Sequence, residues 1–275
     1  MQKLLNHEVY LVDTNAKWIV FLHGAGGSIA TWNKQIEAFK PFFNLLLIDL
    51  RDHGDSKDIQ PEYKEYSFQM VSEDIKKVMK EVEISKAHFV TLSFGSILIQ
   101  DFTMRYPEAL DKIVVVGGVF SGTPFIRAFV FAARFFNLFL SYRTMYRIFS
   151  YVLMPYKRNQ KARTVYQQYA ARLTQKEYLK WIGLYYEFFN LLKTYHERNS
   201  DHDMLIIMGE DDYVFLDGAK KLAENQPNTE LHILPKVGHI ANIEAPKAFN
   251  ALAVNFLKDQ EETLLTREWS ETSSL

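Results

Sequence analysis

The sequence predicts an α/β chain: a mostly parallel, doubly wound sheet with a helical cap inserted into it. Three observations carry this. Short runs of consecutive apolar residues alternate with stretches of helical periodicity, as in a sheet covered on both faces. Most of these runs end in glycines or a marked polar side chain, as strands do where they meet a ligand edge. Between residues 119 and 200 the apolar strand-like runs stop, and aromatic and basic residues take over.

Residues 8–12 and 17–22 read as strands around a polar turn at 13–16. The second strand, Trp18-Ile19-Val20-Phe21-Leu22, runs into His23-Gly24-Ala25-Gly26-Gly27-Ser28. These glycines end the extended run and let main-chain N–H groups converge. Neither G-x-G-x-x-G nor G-x-x-x-x-G-K-[ST] can be laid on them, which excludes a phosphate loop. A helix over 31–39 places Trp32, Ile36 and Phe39 at helical spacing. Strand 45–48 then ends at Asp49-Leu50-Arg51-Asp52-His53-Gly54-Asp55-Ser56. Residues 67–82 form an amphipathic helix, with Met70, Val71, Ile75, Val78, Met79 and Val82 on one face. Strand 87–92 turns sharply at Ser93 and continues as a helix through Arg105, until Pro107 ends it. Strand 112–116 closes the first half at Gly117-Gly118.

Within 119–200, thirteen Lys and Arg face three Glu, a local net charge of +10 in a chain whose total is −1. With no buried strand in it, this segment reads as a helical cap, or lid. The core is then 1–118 and 201–258. Strand 204–208 leads to Gly209-Glu210-Asp211-Asp212, and a helix over 216–223 follows. Strand 230–234 leads through Pro235-Lys236-Val237-Gly238-His239 to a last helix opened by Pro246. The polar tail 259–275 is expected to fray.

Composition narrows the chemistry. The chain has no cysteine, which removes disulfides, thiolate catalysis and zinc–thiolate sites. A net charge of −1 gives no electrostatic reason to expect nucleic acid. The first residues lack the apolar core of a signal peptide, so a cytoplasmic location is expected. The apolar run 125–140 is interrupted by Arg127 and Arg134 and makes a poor membrane span. His53 between Asp52 and Asp55 reads as a structural turn, and no metal is expected there.

Chemistry gathers at the strand ends. His23, Asp49, Ser93, Asp212 and His239 would all lie along one edge of a parallel sheet. A serine hydroxyl is a poor nucleophile until an imidazole takes its proton, and a carboxylate behind the imidazole holds its tautomer. Thr91-Leu92-Ser93-Phe94-Gly95 matches the nucleophile elbow G-x-S-x-G, with threonine for the leading glycine. The order Ser93, Asp212, His239 is the order such a fold requires, and spacing from Gly209 favours Asp212 over Asp211.

Four motifs agree in order: His23-Gly24-Ala25-Gly26 with Trp32, Asp49-Leu50-Arg51-x-His53-Gly54-x-Ser56, the elbow, and Gly209-x-x-Asp212 before Gly238-His239. Together they resemble the α/β-hydrolase superfamily, in its small esterase- and lipase-like serine hydrolases with a helical cap. The resemblance covers roughly 8–257 outside the cap, and departs from the pattern at Thr91 and at Asp52, where glycine is usual. It implies an oxyanion hole from the N–H groups of Ala25 and Phe94, in a loop shaped by His23, Gly24 and Gly26. It implies cleavage of a carboxylic ester with a hydrophobic acyl or alcohol part, through an acyl-enzyme and without a cofactor. A serine at the elbow argues against the dehalogenase and epoxide-hydrolase branches, which use aspartate. Other bonds on the same triad stay open: a carbon–carbon hydrolase of ring-cleavage products, a thioesterase or a monoacylglycerol lipase. So does a ligand-sensing signalling protein that keeps the triad. The expected partner is a small hydrophobic substrate, with the chain a monomer or homodimer. The cap reads either as a solvated basic face over an apolar interior, or as a lid on an anionic lipid surface or steering an acidic substrate.

Overall fold

The structure, a computed structural model, describes residues 3–196 and 201–258. Seven strands form one sheet: β1 (His7–Tyr10), β2 (Trp18–Leu22), β3 (Asn44–Ile48), β4 (Ala87–Leu92), β5 (Leu110–Val116), β6 (Met204–Gly209) and β7 (Thr229–Leu234). Their order is β1-β3-β2-β4-β5-β6-β7, with β1 antiparallel to β3 and every other pair parallel. The central strands are mostly apolar because both faces are covered: β3, β4 and β6 are buried at every position. Edge strand β7 alternates between half-buried and exposed residues over most of its length. Strand β1 stops at Tyr10, two residues short of the expected 8–12. Its partner β3 begins at Asn44, whose side-chain oxygen takes the Val12 N–H at 2.8 Å and ends the ladder.

Helices α1 (Asn33–Phe39), α2 (Phe68–Glu81) and α3 (Gly95–Arg105) supply the first crossovers. The step from β2 to β3 runs one way across the sheet, and the steps to β4 and β5 run the other. Right-handed crossovers therefore put α1 on one face and α2 and α3 on the other. Ser67 caps α2, its hydroxyl accepting the Met70 N–H at 3.2 Å.

Between β5 and β6 lie α4 (Pro124–Phe136), α5 (Tyr142–Leu153), α6 (Gln160–Ala170), α7 (Gln175–Gly183) and α8 (Tyr185–His196). They are not one unit. Tyr142, Met145, Tyr146, Phe149, Leu173 and Tyr178 build a small apolar cluster within the cap. By contrast α8 packs on α3, and its Phe188, Leu191 and Leu192 join the main core. A cap drawn over 119–200 thus takes in a helix whose packing serves the sheet. Sequence alone does not separate the two, because both kinds of helix are rich in aromatics. After the sheet resumes, α9 (Leu216–Asn225), the short α10 (Ala241–Glu244) and α11 (Pro246–Leu257) complete the fold. Helix α11 packs on α1, which places it on the α1 face. The tail 259–275 lies outside the described residues, as do 197–200. Among the described residues, no helix is long and apolar enough to cross a membrane.

Candidate active site

The corner between β4 and α3 places Ser93 at φ +51°, in the left-handed region. A non-glycine residue held there costs roughly 1–3 kcal/mol and needs surroundings that enforce it. Two contacts do so. The Ser93 N–H donates to the Val116 carbonyl at 2.9 Å. Two residues on, a Cβ on Gly95 would lie 2.8 Å from the Leu22 carbonyl oxygen, so glycine alone lets α3 start this close to β2. Thr91, where glycine is usual, sits fully buried in β4. The corner therefore forms without the leading glycine.

The elbow delivers the serine hydroxyl to His239, whose Nε2 lies 2.8 Å from Ser93 Oγ. On its other side, His239 Nδ1 is 2.7 Å from Asp212 Oδ2. Both His239 and Asp212 are buried, and Phe215 packs on the imidazole at 5.3 Å between ring centroids. The carboxylate can only accept, so Nδ1 carries the proton and Nε2 is left free to receive one. Asp211, the neighbour of Asp212, faces away into an ion pair with Arg158.

The loop expected to hold an oxyanion is fastened by two buried histidines. His23 Nε2 accepts the Leu50 N–H at 3.0 Å, and its Nδ1 donates to the Gly24 carbonyl at 2.8 Å. His53 Nε2 accepts the Gly26 N–H at 2.9 Å, while its Nδ1 donates to the Arg51 carbonyl at 3.0 Å. Each ring must be neutral to accept with one nitrogen, and burial pushes both pKa values down, that of His53 well down. With both nitrogens engaged to main chain, His53 is a loop fastener, as a structural turn would have it. Gly24 sits against the elbow, where a Cβ would lie 3.2 Å from Ser93 Cβ. Gly26, at φ +76°, packs under the Tyr146 ring of α5. Among the described residues, the N–H groups of Ala25 and Phe94 enter none of the backbone hydrogen bonds of these two turns. Asp49 is structural: its carboxylate takes the Ile29 and Asp55 N–H groups at 2.7 and 2.9 Å.

A cavity of about 50 Å³ lies over Ser93 and His239. Its floor and walls are Gly24 to Gly27, Thr31, Leu92, Ile240 and Ile243, and its roof is Tyr166 and Tyr169 from α6. Tyr169 donates its hydroxyl to the Ala30 carbonyl at 3.1 Å, tying the roof to the loop beside the oxyanion site. Among the described residues, no lysine or arginine lines this cavity.

The cap also grips the two loops that carry Asp212 and His239. Arg158 makes a two-pronged contact with Asp211, at 2.6 and 2.5 Å. Asn159, fully buried, donates to Glu244 at 2.7 Å. Glu244 also receives the Gly238 N–H, and burial raises its pKa. One turn of the cap, 157–159, thus holds the residue before Asp212 and the backbone before His239. Asn159→Ala is expected to lower kcat by about 10-fold with KM much less affected, since a small displacement of an acid–base pair is costly. Steady-state kinetics checks this, and a matched fall in kcat and rise in KM would assign Asn159 to substrate binding instead. Sequence reading named neither Asn159 nor Glu244, and missed Tyr166 and Tyr169 among the many cap aromatics. Asn159, Tyr166 and Tyr169 lie 43 to 80 residues away from Ser93, Asp212 and His239, separations no local spacing encodes, and only Glu244, five residues after His239, was near a motif.

Comparison with known proteins gives the same architecture. The chain is 28% identical over 273 residues to the "Putative carbamate hydrolase RutD" of a Caulobacter species, covering 93% of this chain and 96% of the relative. It is 26% identical over 272 residues to the 2-hydroxy-6-oxononadienedioate/2-hydroxy-6-oxononatrienedioate hydrolase of Comamonas testosteroni, covering 92% of each. The crystal structure of the enol-lactonase from Burkholderia xenovorans superposes with a TM-score of 0.79 at 19% identity, over 93% of this chain and 96% of that one. Residues 17–246 match the family model of the alpha/beta hydrolase fold, and the chain belongs to that family.

Proposed function

We propose that the protein is a serine hydrolase of uncharged carboxylic esters with a short acyl group. The observation that carries this is the hydrogen-bonded line Ser93–His239–Asp212 opening into a small cavity that no cationic side chain lines among the described residues. In the reaction, Ser93 Oγ attacks the ester carbonyl carbon while His239 Nε2 takes the hydroxyl proton. Asp212 holds the resulting imidazolium. The N–H groups of Ala25 and Phe94 receive the developing oxyanion, donors of a kind each worth about 10²–10³ in rate. Collapse of the tetrahedral adduct breaks the C–O bond, and His239 returns its proton to the departing alcohol. Water, deprotonated by the same imidazole, then releases the acid and restores Ser93.

A carbon–carbon hydrolase is the second reading, favoured by the Comamonas relative. The substrate in that relative's name is a dicarboxylate, and among the described residues the cavity here offers no Lys or Arg to pair with one. A chain-length series of p-nitrophenyl esters tests the proposal. With Tyr166 and Tyr169 in place, kcat/KM is expected to peak between acetyl and butyryl and to fall at least about 10-fold by octanoyl. Faster turnover of an anionic ring-cleavage dienoate than of any ester would overturn it.

A further inference from the structure

Helix α4 buries a narrow stripe, Ile126, Val130 and Ala133, and turns bulky apolar side chains outward on the opposite side. Phe131 is 75% exposed and Phe135 53%. The turn that follows exposes Leu138 at 75% and Phe139 at 72%. Three of the rings pack on one another, Phe135 lying 5.6 Å from Phe136 and 5.5 Å from Phe139 between centroids. Beside them a groove of about 240 Å³ runs between α4 and α5, its described lining all apolar, among it Ala132, Phe136, Met145 and Ile148. A contiguous exposed face of this kind marks an interaction site.

Charge identifies what covers it. From Lys112 to Lys176 the sequence contains no aspartate or glutamate. Arg143 and Arg147 of α5, and Arg127 of α4, are exposed on the two helices that frame the groove. Exposed aromatic side chains on a basic, acid-free segment suit the headgroup boundary of an anionic bilayer, where rings bury and the cationic segment is drawn to phosphate. A second copy suits it less, because a two-fold contact would set one acid-free basic surface against another.

We infer that the α4–α5 edge of the cap is a docking face for an anionic phospholipid surface. It lies on the outside of the cap, away from Ser93, and vesicle binding reads it without reference to catalysis. Helix α5 also reaches the site from its other side, the Tyr146 ring covering Gly26.

The test is flotation of the full chain with vesicles of phosphatidylcholine alone, and with about one third phosphatidylglycerol, at low and raised salt. The wild type is expected to bind the anionic vesicles at least about 10-fold better than the neutral ones, and to lose this preference as salt screens it. The double variant Phe131→Asp, Phe139→Asp is expected to lose at least 10-fold in binding to anionic vesicles. Both positions are solvent-exposed, so the variant keeps its fold by circular dichroism and its turnover of a short soluble ester. Arg143→Gln with Arg147→Gln, which leaves the aromatics intact, is expected to weaken anionic binding and spare the weak neutral binding. Equal binding of wild type and aromatic variant, or no binding of anionic vesicles by the wild type, overturns the inference. A micromolar dimer that the aromatic variant dissolves, without vesicle binding, overturns it in favour of a second copy.

Discussion

Ser93→Ala is expected to lower kcat for a short-chain p-nitrophenyl ester by roughly 10⁶-fold, with the fold intact. The loss is large because the hydroxyl is the attacking atom. His239 and the N–H groups around it then have only water to act on, and the residual rate falls to what binding and the oxyanion donors supply. The fold survives because alanine keeps the Cβ and adds no atom at a corner so tight that even a Cβ on Gly24 would lie 3.2 Å from that of Ser93. Ser93 is half-buried, and the hydrogen bond lost is the one to His239. Initial-rate kinetics alongside circular dichroism measures both. Activity within 10-fold of wild type in a folded variant would remove Ser93 from the reaction.

Asp212→Asn is expected to cost about 10⁴-fold in kcat. The carboxylate at 2.7 Å from His239 Nδ1 can only accept, so it keeps the proton on Nδ1 and the lone pair of Nε2 toward Ser93. An asparagine amide can turn its N–H₂ to the same nitrogen and make Nδ1 the acceptor. The ring proton then sits on Nε2, where it points at Ser93 Oγ and blocks proton transfer. The size of the group hardly changes, so structure and KM are expected to hold while kcat falls. Asp211→Asn is the matched control. Its carboxylate faces Arg158, and the expected loss is smaller by two orders of magnitude or more. Comparable losses in the two variants would mean that the loop, rather than one carboxylate, is what catalysis needs.

The legible parts of this protein were those whose physics is local. Apolar runs such as Leu45-Leu46-Leu47-Ile48 announced covered strands, because a strand buried on both faces has no polar side to show. Strand edges were read less well. The end of β1 depended on the Asn44 side chain, 32 residues from Val12, and not on the composition of β1 itself. Spacing from Gly209 distinguished Asp212 from Asp211, and the structure shows why the two differ: they turn to opposite sides, one to His239 and the other to Arg158. His53 read as a turn residue, and it is one, but its Nε2 also holds Gly26 of the loop beside the serine.

By itself the sequence determined the sheet, the elbow and the strand-end placing of Ser93, Asp212 and His239, since each is written within a few consecutive residues at a strand end. The tertiary structure decided the rest. It assigned α8 to the core, brought Asn159 and Arg158 onto the loops of the base and the acid, roofed the cavity with Tyr166 and Tyr169, and left the α4 aromatics facing outward. The reason is common to all four. In a cap helix dense in aromatic residues almost any face is apolar enough to bury, so periodicity does not say which face does. That choice is made by the shape of the sheet and of neighbouring helices, which exists only once the chain has closed on itself.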